Sequence, residues 1–278
     1  MPNHTSVLPA INTNFTHHIS VGLANGDVIS GQNSISHPSI STALEIGGAH
    51  TERDEVEEHD RIEDANLPGS LPTLRKQYIT FTKADEEELP ARIERLWYIN
   101  PYGQEIRIAA NPRVLGDLSN AQAVVYSIGS LYTSIVPSLV LKGIGEAISN
   151  PTIRHKILIL NSTVDRETGP LTSPYCALDF VAAIAKAGEA SKGVLEPLDK
   201  SQYKNYVTHL IHLQGPGTPA VDMEQLKNIG IEAIRVYGRK NEGETFVRYD
   251  DKALIQALEV TMGKGDPRMP SRRNTLVT

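Results

Sequence analysis

Three short stretches of this sequence carry groups that could hold a charged ligand. The first is Gly129-Ser130-Leu131-Tyr132-Thr133-Ser134, which follows an apolar run ending at Ser127. Gly129 lets a ligand approach the backbone closely, and free N–H groups at a helix start point at an anion. Ser130, Thr133 and Ser134 add hydroxyls, and the Tyr132 ring could stack on a base or sugar. No Walker lysine and no G-x-G-x-x-G accompany the loop. A phosphate cradle and a plain corner between strand and helix both fit it. The second stretch runs from Asn161 through Asp165, Arg166 and Glu167. Arg166 could fork onto a phosphate or carboxylate, and Asp165 could hold Mg²⁺ together with phosphate oxygens. Asp179 falls in the first turn of the next expected helix, where a carboxylate also suits the dipole. A surface loop with a self-paired Asp-Arg-Glu cluster is the competing reading. The third stretch, "QGPGTP" at 214–219, reads as a tight turn.

Other chemistries fail on spacing. His209 and His212 lie three apart on an expected strand and point to opposite faces; His17 and His18 diverge likewise. No Ser/His/Asp order with a nucleophile elbow is present. The single cysteine, Cys176, allows no internal disulfide and no thiolate cluster, and reads as a small buried residue.

The elements that would position these stretches alternate. "AVVYSI" and "HKILILN" read as buried strands and "YVTHLIHL" and "IEAIRVYG" as two further strands, separated by helical segments such as "VLKGIGEAISN" and "VDMEQLKNIG". "SPYCALDFVAAIAKAG" is expected to be a helix capped by Ser173, with Pro174 at its first position and Gly188 as its stop. "KALIQALEVTMG" closes the series. Strands joined by such helices pair in parallel with right-handed crossovers. The expected fold is therefore α/β, a doubly wound, mostly parallel, Rossmann-like sheet. Near the start, "ISVGLANGDVIS" signals an appended β-hairpin with Asn25-Gly26 as a two-residue type I′ turn and Leu23 opposite Val28. "QYITFT" and "RIERLWYIN" read as further short strands.

The 278 residues and 40% apolar content supply a substantial core. The net charge of −6 sits within residues 52–64, "ERDEVEEHDRIED"; the rest of the chain balances. Such a stretch buries too little apolar surface to offset its ordering entropy. The organisation expected is a hairpin segment at 1–37, a disordered acidic insert at 38–74, the α/β domain at 75–263 and a basic flexible tail at 264–278. The balance of charge elsewhere gives nucleic acid no footprint. Neither a membrane span nor a signal peptide is evident, so the expected location is cytoplasmic.

"AQAVVYSIGSLYTSIVPSLVLKGIGEAI", "HKILILN" and "ALDFVAAI" resemble the CofD/YvcK family, which comprises 2-phospho-L-lactate transferases and UDP-sugar-binding gluconeogenesis factors. The resemblance covers roughly 7–37 and 92–262. It implies a ligand loop at Gly129, Ser130, Tyr132, Thr133 and Ser134, with Asn161 ending the next strand at the site and Asp179 beginning the helix beside it. The family's loop has Gly-Pro-Gly where this chain has Ser127-Ile128-Gly129, and the family's glycine-rich opening half does not precede the matching region. The resemblance implies a nucleotide or UDP-sugar ligand and a regulatory role in carbon metabolism, with no tightly bound organic cofactor. Alternatives are a transferase moving a phospholactyl-type group with Mg²⁺, or a non-catalytic remnant. Helices left uncovered could pair between chains as a homo-oligomer.

Overall fold

The computed structural model describes residues 5–36, 88–240 and 246–263. The acidic insert, the basic tail and the strand expected at 77–82 lie outside these residues.

The chain first builds an antiparallel sheet from β1 (His18–Leu23), β2 (Val28–Ser30), β3 (Ile93–Ile99) and β4 (Glu105–Ile106), in the order β2-β1-β3-β4. The hairpin expected beside the parallel sheet thus belongs to a separate one. Its turn is one residue longer than a type I′ loop. Gly26 N–H donates to the Leu23 carbonyl and Leu23 N–H to the Asp27 carbonyl, both at 2.9 Å. Gly22 pairs with Val28, and only the αL residue, Gly26 at φ 91°, needs to be glycine. The register of β1 against β3 shifts after Gly22, leaving Glu94 as the extra residue of a bulge. Ile93 and Leu96 therefore both reach the core although they are three apart. A short helix, α1 (Gln32–Ser36), buries Ile35 completely.

α2 (Pro112–Ser119) starts as its sequence dictates, with proline in the first turn and the Asn111 side chain accepting from Arg113 N–H at 3.0 Å. The parallel sheet follows: β5 (Ala123–Tyr126), β6 (His155–Ile159), β7 (His209–His212) and β8 (Glu232–Arg235), ordered β5-β6-β7-β8. This order runs without reversal, so among the described residues the sheet has no point where winding changes direction. Among the described residues the fold is mixed α/β, with a four-stranded parallel sheet, a four-stranded antiparallel sheet and a two-stranded antiparallel ribbon.

Crossover segments bring α3 (Val136–Leu139), α4 (Ile144–Ser149), α5 (Ala177–Lys192) and α6 (Met223–Asn228). The helix expected over 140–150 is broken at its start. Lys142 N–H donates to the Ile108 carbonyl and the Lys142 carbonyl accepts from Ala110 N–H. Gly143 then turns the chain at φ 98°. α5 begins three residues later than expected, capped at Cys176, and ends at Gly193 with φ 89°. Gly188 is not the stop. It lies inside α5, where an added Cβ would fall 2.2 Å from the Tyr206 ring, while one on Gly145 would fall 1.9 Å from the Gly188 carbonyl. These two glycines set how closely α4, α5 and Tyr206 pack.

Strand alternation divides the core. Leu158 and Leu210 face the larger cluster with Phe180, Val181 and Ile184. Ile157 and Ile211 face a smaller cluster containing Val236 and Ala257 of the last helix, α7 (Asp251–Thr261). A small ribbon, β9 (Gly238–Arg239) and β10 (Arg248–Tyr249), precedes α7. The Tyr249 hydroxyl is 2.6 Å from the Leu160 carbonyl and 3.1 Å from that of Ile211, pinning the ribbon to the ends of β6 and β7.

Candidate functional site

β5 and β6 are parallel neighbours, with Tyr126 opposite Leu158, so their following loops leave the same edge side by side. This is the edge at which open parallel sheets bind ligands. The loop after β5 enters a π-helical turn at 131–135, a wide turn often found at functional positions.

The backbone donors expected to meet a phosphate meet a carboxylate of the chain itself. Glu167 accepts from Tyr132 N–H at 2.8 Å, Thr133 N–H at 3.0 Å and the Thr133 hydroxyl at 2.6 Å. Glu167 is 2% exposed. Burial pushes its pKa upward, and the bonds from Thr133 and Tyr132 only partly counter it. Tyr132, expected to stack on a ligand, is buried; its hydroxyl lies 3.1 Å from the Ile93 carbonyl and 3.0 Å from the Tyr175 hydroxyl. Its apolar ring belongs to the core, and its hydroxyl ties the loop to β3.

What stays accessible is the loop's outer rim. Ser134 is exposed, and Gly129 and Ser130 are half-buried. Ser130 precedes the π turn without a side-chain cap bond, and its carbonyl accepts from Ser134 N–H at 2.9 Å. A Cβ on Gly129 would lie 3.1 Å from Ser134 Cβ, so the glycine lets the two ends of the loop approach.

The β6 loop is a set of anchors. Asp165 caps the 3₁₀ turn at 166–168, its carboxylate accepting from Thr168 N–H at 3.1 Å and from the Thr168 hydroxyl at 2.7 Å. Burial raises its pKa against those bonds. The proposed Mg²⁺ ligand is thus already bonded within its own turn, and among the described residues no group of three or more His, Cys, Asp or Glu gathers as a metal site. Arg166 reaches back to α1: its Nε donates to the Ile35 carbonyl at 3.0 Å and its Nη2 to Ser34 at 3.4 Å. A cation at carbonyls of a helix end is favourable, and the fork foreseen for a phosphate clasps α1 instead. Asn161 is half-buried just beyond β6.

Asp179 closes the cap of α5, accepting from Cys176 N–H at 2.9 Å, and pairs with Arg92 Nη2 at 2.6 Å. Burial opposes its charge, but the bonds from Cys176 and Arg92 prevail and hold it below the usual carboxylate range. Arg92 also lies 4.2 Å over the Tyr175 ring. Two backbone bonds bring in the β7 loop: Val164 N–H donates to the Gly217 carbonyl at 3.1 Å, and Ala177 N–H to that of Ala220 at 2.8 Å. All three loops singled out in the sequence therefore converge. Sequence reasoning placed Glu167 only in a self-paired cluster and did not single out Arg92 or Tyr175. The one signal for Glu167 was an acid shortly after a buried strand; its reach across 34 residues left no local trace.

A parallel sheet with its carboxyl-edge loops laced together, and an antiparallel sheet whose β3 meets α3 and α5, define a mixed α/β protein whose candidate site lies at the parallel sheet's edge. The chain belongs to the CofD family: the family model, described as 2-phospho-L-lactate transferase CofD, matches residues 2–263. An uncharacterized protein of Saccharomyces cerevisiae is 37% identical over 228 residues, covering 75% of this chain and 51% of the yeast protein. The gluconeogenesis factor of Bacillus subtilis is 26% identical over 172 residues, 58% of this chain and 51% of the factor. The chain spans about half the length of the curated relatives it matches. A crystal structure of a UPF0052 family member from Bacillus halodurans superposes with a TM-score of 0.53 at 18% identity, over 88% of this chain and 59% of that one, a likeness of fold. Among the described residues no helix is long and apolar enough to cross a membrane.

Proposed function

We propose that the chain binds a nucleotide or nucleotide-sugar at the carboxyl edge of its parallel sheet, in a regulatory role in carbon metabolism, the area in which the Bacillus subtilis relative is named a gluconeogenesis factor. The observation that carries this reading is the convergence of the loops after β5, β6 and β7 on one edge, laced by Glu167, Val164 and Ala177. Preorganised loops lose little entropy on binding. Because Tyr132 and Thr133 already donate to Glu167, phosphate oxygens meet the rim at Gly129, Ser130 and Ser134 rather than the deeper amides. The transferase reading, with Mg²⁺ neutralising a nucleotide-activated donor, is supported by the family description but less by this site, where the Asp165 carboxylate is turned onto Thr168.

Calorimetric titration with UDP-sugars and with GDP, with and without Mg²⁺, tests the reading. Saturable heat in the native chain that Gly129→Val abolishes is the expected result. No heat with any of these ligands overturns it, and Mg²⁺-dependent turnover of a nucleotide-activated donor would move the reading to the transferase.

A further inference from the structure

The two borders of the parallel sheet are finished differently. β8 carries Glu232 and Arg235, both exposed, and charges on a border strand keep other strands from pairing with it. β5 has no such guard. Its residues, Ala123-Val124-Val125-Tyr126, include no charge, no proline and no bulge. The sequence holds no Asp, Glu, Lys, Arg or His anywhere from 118 to 141. Val125 is 41% exposed on this strand, and Ile128 just beyond it is 47% exposed.

The backbone of β5 is open along the same border. The Gln122 carbonyl accepts from His155 N–H at 3.4 Å, so the alternation of a parallel ladder turns the N–H and C=O groups of Val124 and Tyr126 towards β6 as well. Ala123 and Val125 turn theirs away from β6, and among the described residues no backbone group meets them. α2 ends three residues ahead of β5 and packs on α4. Its Val114, Leu115 and Leu118 touch the core, yet no residue of α2 is buried, so its apolar face is incompletely covered.

We propose that this border is the interface between two copies of the chain, with β5 pairing antiparallel to β5 of the second copy. About a twofold axis at Val124, Ala123 of each copy stands opposite Val125 of the other, and each such pair exchanges both of its N–H···O=C bonds. These bonds fix the register more than the affinity, since the same groups are hydrated in the free chain. A four-residue ladder alone falls short of the ~1,000 Å² that a specific interface buries, so covering Val125 and the bare side of α2 supplies the drive. A second copy fits this border better than a charged partner does. The stretch 118–141 offers an acidic or basic segment nothing to pair with, and a twofold contact between uncharged surfaces opposes no like charges. The antiparallel join sends the two carboxyl edges in opposite directions, so the candidate sites face apart and the interface does not depend on the nucleotide reading.

Sedimentation velocity and amide hydrogen exchange of the 278-residue chain over a range of concentrations test this. The expected result is a dimer in which the amides of Ala123 and Val125 gain protection as concentration rises. Those of Val124 and Tyr126, already turned to β6, should be protected throughout. Val125 and its counterpart are diagonal neighbours across the join, about 7–8 Å apart and within reach of long side chains. Val125→Lys should therefore raise the Kd of the dimer at least about tenfold, and so should Val125→Glu, since each sets a charge beside its own copy. Mixing the two variants should recover the dimer, which also shows that both have folded. Val28→Lys, at an exposed position of β2, should change nothing. A chain that stays monomeric up to about 0.1 mM overturns the proposal. So does a dimer indifferent to Val125→Lys, or a mixture of the two variants that stays monomeric. Protection of Ala123 and Val125 that does not vary with concentration also overturns it, and assigns the edge to another part of the same chain.

Discussion

Removing the Glu167 carboxylate should loosen the site from within. In Glu167→Ala the buried Tyr132 N–H loses its partner, which costs about 1–3 kcal/mol, while half-buried Thr133 can regain water. Lost burial of the side-chain stem adds about 1 kcal/mol. A total near 3 kcal/mol corresponds to a fall in Tm of about 6–12 °C for a protein of this size. Glu167→Gln keeps an oxygen for both N–H groups, and its amide can donate to the Thr133 hydroxyl, so its loss should stay near 1 kcal/mol. Because burial raises the native pKa of Glu167, the native state holds its proton more tightly than the unfolded chain. The carboxyl's contribution is then greatest below the ordinary carboxylate pKa and declines as pH rises through the raised value. Thermal melts of native, Ala and Gln proteins across this range read both effects. Equal losses in the two variants, or a native advantage over Gln that grows with pH, would refute the role given to this side chain.

Asp179→Asn should cost about 1 kcal/mol at neutral pH through the lost charge at the cap and the Arg92 pair, in urea unfolding. As its native pKa is depressed, that difference should shrink as pH falls through the native value. Gly188→Ala should destabilise by about 1–3 kcal/mol, because the new methyl meets the Tyr206 ring; a melt unchanged from native would show that α5 shifts freely. Gly129→Val should weaken UDP-sugar binding more than Ser130→Ala, whose single lost bond of about 1 kcal/mol is roughly fivefold in Kd.

The apolar runs revealed the four parallel strands; the central pair, β6 and β7, is buried on both faces, whereas Val125 of β5 and Glu232 and Arg235 of β8 are exposed at the sheet's edges. Parallel pairing followed from the connecting helices. The antiparallel sheet was less legible: β3 pairs with β1 across an intervening segment of some seventy residues, and no local spacing encodes that partnership. Gly188 misled for a related reason, because a glycine demanded by a ring on a remote turn looks like a helix stop in one dimension. The site divided in the same way. Strand succession put Gly129 after β5 and Asn161 and Asp179 after β6, where the structure has them, whereas the partners of Tyr132 and Arg166 depend on contacts made 35 and 131 residues away.

The Arg166 clasp on α1 has a consequence for synthesis. A ribosome releases the hairpin and Ile35 well before it has translated the arginine that fastens them, 131 residues downstream. At about 5–20 residues per second, the apolar side of that first ribbon waits for roughly 7–26 s without its final cover. Slowing translation between codons 36 and 166 should therefore lengthen the interval in which the nascent chain is a target for chaperones.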